Sequence, residues 1–146
     1  MGIIKSFLLF VLLSFNLLYS QTVVGKIYTK DEANSIYGTV ITSTQISSSL
    51  LSGLTNITTN YIMFRINNGN LYILGDQRKP LYPSGIVVDP QTEMRLFSVS
   101  LVSKIITDGN NPYTIIEIRK NNVLTITNGN YTLEYSWPCP PQCISN

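Results

Sequence analysis

Apolar and polar residues alternate in short runs along most of this chain, and Asn and Gly punctuate the runs. The clearest example is Tyr61-Ile62-Met63-Phe64-Arg65-Ile66, the turn Asn67-Asn68-Gly69-Asn70, and Leu71-Tyr72-Ile73-Leu74. Asn-Gly accepts the positive φ angles of a type I′ turn, so this stretch predicts a β-hairpin. After the polar turn Asp76-Gln77-Arg78-Lys79-Pro80, Gly85-Ile86-Val87-Val88 reads as a third strand of the same sheet. Pro83 would hold Leu81-Tyr82 at a sheet edge, where a missing N–H does no harm.

Two helical stretches precede this hairpin. Thr29-Lys30-Asp31-Glu32 has the S/T-x-x-E form of a capping box, and Gly38 can close the turn that follows. Ala33, Ile36 and Tyr37 are expected to face inward. A strand at 39–42 leads to a second helix with Ile46, Leu50, Leu51 and Leu54 on one face and Ser43 or Thr44 as its cap.

The second half of the chain follows the same order. Residues 96–99 read as a strand, and Leu101, Ile105 and Ile106 follow Ile46, Leu50 and Leu51 at one constant offset, with Gly109 closing the helix. Residues 113–118 match the first hairpin strand, Asn121-Asn122 is a turn, 123–126 a strand, and Asn128-Gly129-Asn130 turns into 131–135. Asp89-Pro90, a cap followed by a proline at the first helical position, stands where Thr29-Lys30 stands. The pattern defines an α+β fold, mostly antiparallel sheet with two or three short helices, as two duplicated β-α-β-β-β units at 29–88 and 89–136. Identities between the units are few, such as Tyr61 with Tyr113, so common strand-helix-hairpin patterning is the competing explanation. The units satisfy the pattern equally as one sheet or as two packed sheets.

Residues 1–20 differ from the rest. Lys5 followed by an apolar run from Phe7 to Leu18, broken at Ser14 and Asn16, has the form of a secretory signal peptide with cleavage between Ser20 and Gln21. The run is shorter than a bilayer span, and no other stretch is long enough to cross one. Leu18-Tyr19-Ser20 is a poor cleavage site, which leaves a retained anchor as the alternative. Residues 21–136 are expected to form one small domain, followed by a Pro/Cys-rich tail at 137–146.

Composition narrows the function classes. Ten Lys plus Arg stand against eight Asp plus Glu, and Lys5 leaves with the signal, for a net charge of +1. That balance argues against nucleic acid or an anionic membrane as partner. Charged residues make up 12% of the chain, so Ser, Thr, Asn, Gln and Tyr must cover much of the surface. There is no histidine, which removes the usual proton shuttle and the commonest metal ligand. Asp76, Asp89, Glu93, Glu117 and Glu134 form no catalytic signature and read as turn formers, caps and exposed strand partners.

The two cysteines, Cys139 and Cys143, lie in Trp137-Pro138-Cys139-Pro140-Pro141-Gln142-Cys143. In an exported chain this spacing reads as a small disulfide clip. Thiol–disulfide exchange is the rival, but redox motifs carry two residues between the cysteines at a helix start. Attachment to another protein through one cysteine is a third reading. Nine tyrosines and one tryptophan supply large amphipathic side chains suited to a binding surface. Tyr82, Tyr135 and Trp137, together with Arg78 and Lys79 in the densest charge cluster, are the candidates for such a surface. Asn56-Ile57-Thr58 and Asn130-Tyr131-Thr132 are glycosylation acceptors only in a host that glycosylates.

The expectation is therefore an exported, non-enzymatic α+β domain with no cofactor and no metal. It would bind an unknown protein or envelope partner, or serve a structural role, at the cell envelope or outside the cell. A secreted inhibitor of an enzyme and an envelope thiol–disulfide protein using Cys139 and Cys143 are the two alternatives.

Overall fold

A computed structural model of the chain describes residues 21–143. The expected signal peptide, including Ser20 on one side of the cleavage point, lies outside the described residues. No described helix is long and apolar enough to cross a membrane.

The fold is α+β, with ten strands in two antiparallel sheets and three helices among the described residues. The strands are β1 (Lys26–Thr29), β2 (Val40–Ser47), β3 (Tyr61–Asn67), β4 (Asn70–Leu74), β5 (Pro80–Tyr82), β6 (Met94–Ser98), β7 (Tyr113–Arg119), β8 (Val123–Asn128), β9 (Tyr131–Glu134) and β10 (Trp137–Cys139). The helices are α1 (Lys30–Tyr37), α2 (Ser48–Thr55) and α3 (Val99–Gly109). Sheet A has the order β1-β9-β8-β7-β2, and sheet B the order β10-β6-β3-β4-β5.

Residues 40–82 and 94–134 each run strand, helix, then three strands, and the leading strands are exchanged. β2 leaves its own hairpin to pair with β7 in sheet A, while β6 pairs with β3 in sheet B. The registers correspond: Ser47 lies opposite Tyr113, and Ser98 lies opposite Tyr61. Both serines are helix N-caps, and Leu51 and Leu54 of α2 are matched by buried Val102 and Ile105 of α3. These residues join Ile62, Phe64, Ile73 and Phe97 of sheet B with Ile116, Leu124, Ile126 and Leu133 of sheet A in one core.

The hairpin of β3 and β4 turns at Asn68 and Gly69, whose φ values of 50° and 78° suit the Asn-Gly pair. The Thr29 capping box is present: its Oγ1 accepts from the Glu32 N–H, while Glu32 accepts from the Thr29 N–H at 2.8 Å. α3 ends where Gly109 meets Gly129 so closely that a Cβ on Gly109 would run into the Asn128 backbone. Asn110, at φ 46°, then makes the left-handed cap.

Several local expectations are corrected. Ile46 belongs to β2, so the cap of α2 is Ser47 rather than Ser43 or Thr44, and the apolar match between α2 and α3 shifts by one turn. Leu50 is exposed on α2, and Ile36 is exposed on α1, which buries Ala33 alone. The third strand of the first hairpin is β5, not 85–88, because Asp76 and the Thr58 hydroxyl anchor a 3₁₀ turn that brings Pro80–Tyr82 alongside β4. Residues 85–88 instead cross the outer face of sheet B, where Ile86 and Val88 pack on a second apolar cluster. Asp89 caps a turn by accepting from the Gln91 N–H, and no helix follows it.

Candidate functional site

A sheet edge exposes backbone N–H and C=O groups, and natural proteins blunt such edges with short strands, charges or prolines. Sheets A and B end at four strands: β1, β2, β5 and β10. β1 has four residues and carries Lys26. β5 has three, begins with Pro80 and is followed by Pro83. β10 has three, contains Pro138 and ends in the disulfide. β2 differs from all of them. Its eight residues, Val-Ile-Thr-Ser-Thr-Gln-Ile-Ser, contain no charge and no proline, and all but Ile46 are at least partly exposed.

Which backbone groups of β2 are free follows from the register. The Ser48 N–H donates to the Pro112 carbonyl at 2.8 Å, and Ile46 and Thr44 lie opposite Thr114 and Ile116 in the same ladder. Alternation along an antiparallel ladder then turns the N–H and C=O groups of Ser43 and Gln45 away from β7. The register shifts between Val40 and Thr42, and Ile41, inside that irregularity, is 66% exposed. Val40, beside it at the start of the strand, is exposed as well.

The suspected surface residues are placed differently. Tyr82, on β5, and Trp137, on β10, stand at opposite edges of sheet B, each half-buried against a core cluster. Tyr135 is exposed, at φ 69°. Arg78 is half-buried and holds chain segments together. Its Nη1 donates to the Cys139 carbonyl at 2.9 Å and its Nη2 to the Thr92 carbonyl at 2.8 Å, so it pins the tail to the 83–93 loop. Lys79 is exposed. Cys139 and Cys143 are bonded to each other, with Cα atoms 4.7 Å apart, and Cys139 is fully buried in the second apolar cluster with Met94 and Leu96. The tail thus begins inside sheet B.

Glu117 and Glu134, read as exposed strand partners, are both buried. Glu117 pairs with the fully buried Arg119 at 2.9 Å and accepts from Thr125 and Thr127. Arg119 also donates to Thr125, to the Asn34 side chain and to the Gly38 carbonyl, which ties α1 down on the outer face of sheet A. Burial raises the pKa of Glu134 against the backbone N–H groups of Tyr135 and Ser136, which lower it. Burial also raises the pKa of Tyr37, whose hydroxyl donates to Tyr28. Arg119 was not singled out from the sequence. The available signal was its i,i+2 relation to Glu117, which puts the two side chains on one strand face.

Asp76 accepts from the backbone N–H groups of Thr59, Asn60 and Tyr61 at 2.8–2.9 Å. Its partial burial would raise its pKa, but these donors and Thr58 outweigh that and hold the carboxyl below its ordinary value. Among the described residues, no group of three or more His, Cys, Asp and Glu side chains is placed to hold a metal ion. An open pocket of about 230 Å³ lies between the 87–92 loop and Arg65, Asn67, Tyr72 and Met94. Arg65 already donates to the Glu93 carbonyl beside it.

No protein-family model, curated protein or solved structure matches this chain.

Proposed function

We propose that this chain is an exported, non-enzymatic binding domain that works at the cell envelope or outside the cell and takes up an extended strand along β2. The observation that carries this reading is the eight-residue β2 edge, uncharged and without proline, in a molecule whose other described edges are all blunted. Main-chain hydrogen bonds from Ser43 and Gln45 would supply affinity by strand addition, and Ile41 would supply apolar contact. Engagement of Glu32, Asp76, Asp89, Glu93, Asp108 and Glu117 with structural partners supports the non-enzymatic part. The shared β-α-β-β-β order is read as a duplicated unit, supported by the matching N-cap positions of Ser47 and Ser98, although only the Ser47 hydroxyl accepts from its helix.

Site-specific photo-crosslinking in the native host tests this, with the crosslinker at Ser43, at Gln45 and, as controls, at Lys79 and Tyr135. Expected are crosslinked products from the β2 positions alone, in the envelope or culture fluid, on a chain whose intact mass begins at Gln21. Products from Lys79 or Tyr135 with none from β2 would overturn the edge as the site. A full-length mass in the cytoplasm would overturn export.

A further inference from the structure

We infer that the strand received by β2 is the β2 of a second copy of this chain, so that the protein is a twofold dimer built on one continuous sheet. The inference rests on the reading of β2 as the binding edge and names its occupant.

Sheet B shows how this chain completes an edge. β6 and β2 are the exchanged leading strands of the two β-α-β-β-β stretches, and each lies beside the hairpin of the other stretch. The far side of β6 is covered by the chain's own β10, whereas the far side of β2 is uncovered among the described residues. β2 is also self-complementary. In an antiparallel pair with its twofold at Thr44, Ser43 of one copy lies opposite Gln45 of the other, where their outward backbone groups meet, Thr44 lies opposite its own counterpart, and Thr42 lies opposite Ile46. No like charges are opposed, because β2 has none, and a net charge of +1 gives little repulsion between copies. A foreign strand would have no side-chain charge on β2 to recognise.

Closure gives a further reason. With one unblunted edge per chain among the described residues, pairing β2 with β2 consumes both such edges. The resulting sheet ends at β1 on each side, where four residues and Lys26 discourage further addition. Assembly then stops at two copies, as an isologous interface must. Without that pairing, a charge-poor protein would carry an open edge into the extracellular space.

Sedimentation of the oxidised chain beginning at Gln21, over a range of concentrations, tests the inference. Two variants accompany the parent. Ser43→Pro removes an N–H that points away from β7, and Gln45→Lys sets two like charges diagonally across the twofold on one face of the joined sheet. Circular dichroism and thermal melts verify that each variant folds. The expected result is a concentration-dependent dimer in the parent, weakened by about tenfold or more in both folded variants. A dimer unchanged in both would put the interface elsewhere and overturn the inference. A parent that stays monomeric up to about 1 mM, the weak end of specific association, would also overturn it. In that case crosslinks from Ser43 to a different protein would keep the edge reading intact, and absence of any β2 crosslink would remove both. If one variant does not fold, the other carries the test, since they act by independent means.

Discussion

The outer faces of the two sheets are built on opposite principles, although the stretches that form them share an order of elements. On sheet A the outward side chains of β7, β8 and β9 include Glu117, Arg119, Thr125, Thr127 and Thr132, joined in one hydrogen-bonded layer beneath α1. On sheet B the corresponding layer is Tyr61, Met63, Leu74, Met94 and Leu96, covered by Val24, the 86–88 loop and Cys139. The polar layer depends on every partner, because a single missing donor or acceptor strands another group away from water. The apolar layer depends on volume, so damage to it should be graded. No buried polar side-chain atom among the described residues lacks a partner, which is the condition under which a polar layer is tolerated.

The largest effect should come from Arg119→Ala. It leaves Glu117 buried and without its guanidinium, and it releases Asn34 and Gly38 of the α1 segment. Breaking such a pair costs about 3–5 kcal/mol, read as a drop in the urea midpoint. The double variant Arg119→Met with Glu117→Leu should recover only part of that loss, because the apolar pair removes the uncompensated carboxylate but leaves Thr125, Thr127 and the Gly38 carbonyl without their former partners. A single substitution costing less than about 1 kcal/mol would mean that water enters the layer and the contrast between the faces is weaker than described.

Met94→Ala, on the apolar face, should cost about 2–4 kcal/mol through lost transfer and cavity terms. Here a second truncation nearby should add smoothly instead of rescuing. Rescue by a second truncation, which only enlarges the cavity, would sink the claim that this face is governed by volume alone.

Reducing the Cys139–Cys143 bond should cost about 2 kcal/mol in the loop-entropy picture, given its separation of 4 residues. The loss should be confined to sheet B: amide exchange should speed up in β10 and at the β6 edge while α1 and β7 stay protected. Equal acceleration on both faces would show that the tail stabilises the whole molecule.

The smallest effect is in pH dependence, and the two faces should differ in sign. Glu134, beneath α1, has a raised pKa in the fold, so its contribution is fully present below its ordinary 4.5 and is lost as pH rises through the higher folded value. Asp76, beside β3, has a lowered pKa, so its contribution is present above its ordinary 3.8 and is lost as pH falls through the lower folded value. Glu134→Gln should flatten the fall in melting temperature above that upper window, and Asp76→Asn should flatten the fall below the lower one. Identical pH profiles for both variants would contradict the assignments.

Much of this architecture is legible in the chain itself. Strand alternation, the Asn-Gly turn and the Thr29 capping box are local signals, and local geometry answers to them: the first hairpin, α1, α3 and the later hairpins lie close to where the residues place them. The spacing of Cys139 and Cys143 is equally local and predicts their bond. The errors arise where a local rule meets a distant surface. Ile46 has the spacing of a helical face, yet pairing with Thr114 draws it into β2. Residues 85–88 have the composition of a strand, yet Arg78 and Cys139 hold the loop that follows them across sheet B.

The composition and residue order determined an α+β chain of short strands, few charges and one cysteine pair, since those properties depend on neighbours in sequence. Tertiary structure alone decided that β2 and β6 change sheets, that Glu117 and Glu134 are buried, and that Arg78 fastens the tail instead of facing solvent. Alternation along a strand reports which side chains share a face, but it carries no information about what covers that face or which strand lies alongside. Those depend on contacts between residues 50 and more positions apart, such as Ser47 with Tyr113 and Asn34 with Arg119, and only the folded chain brings them together.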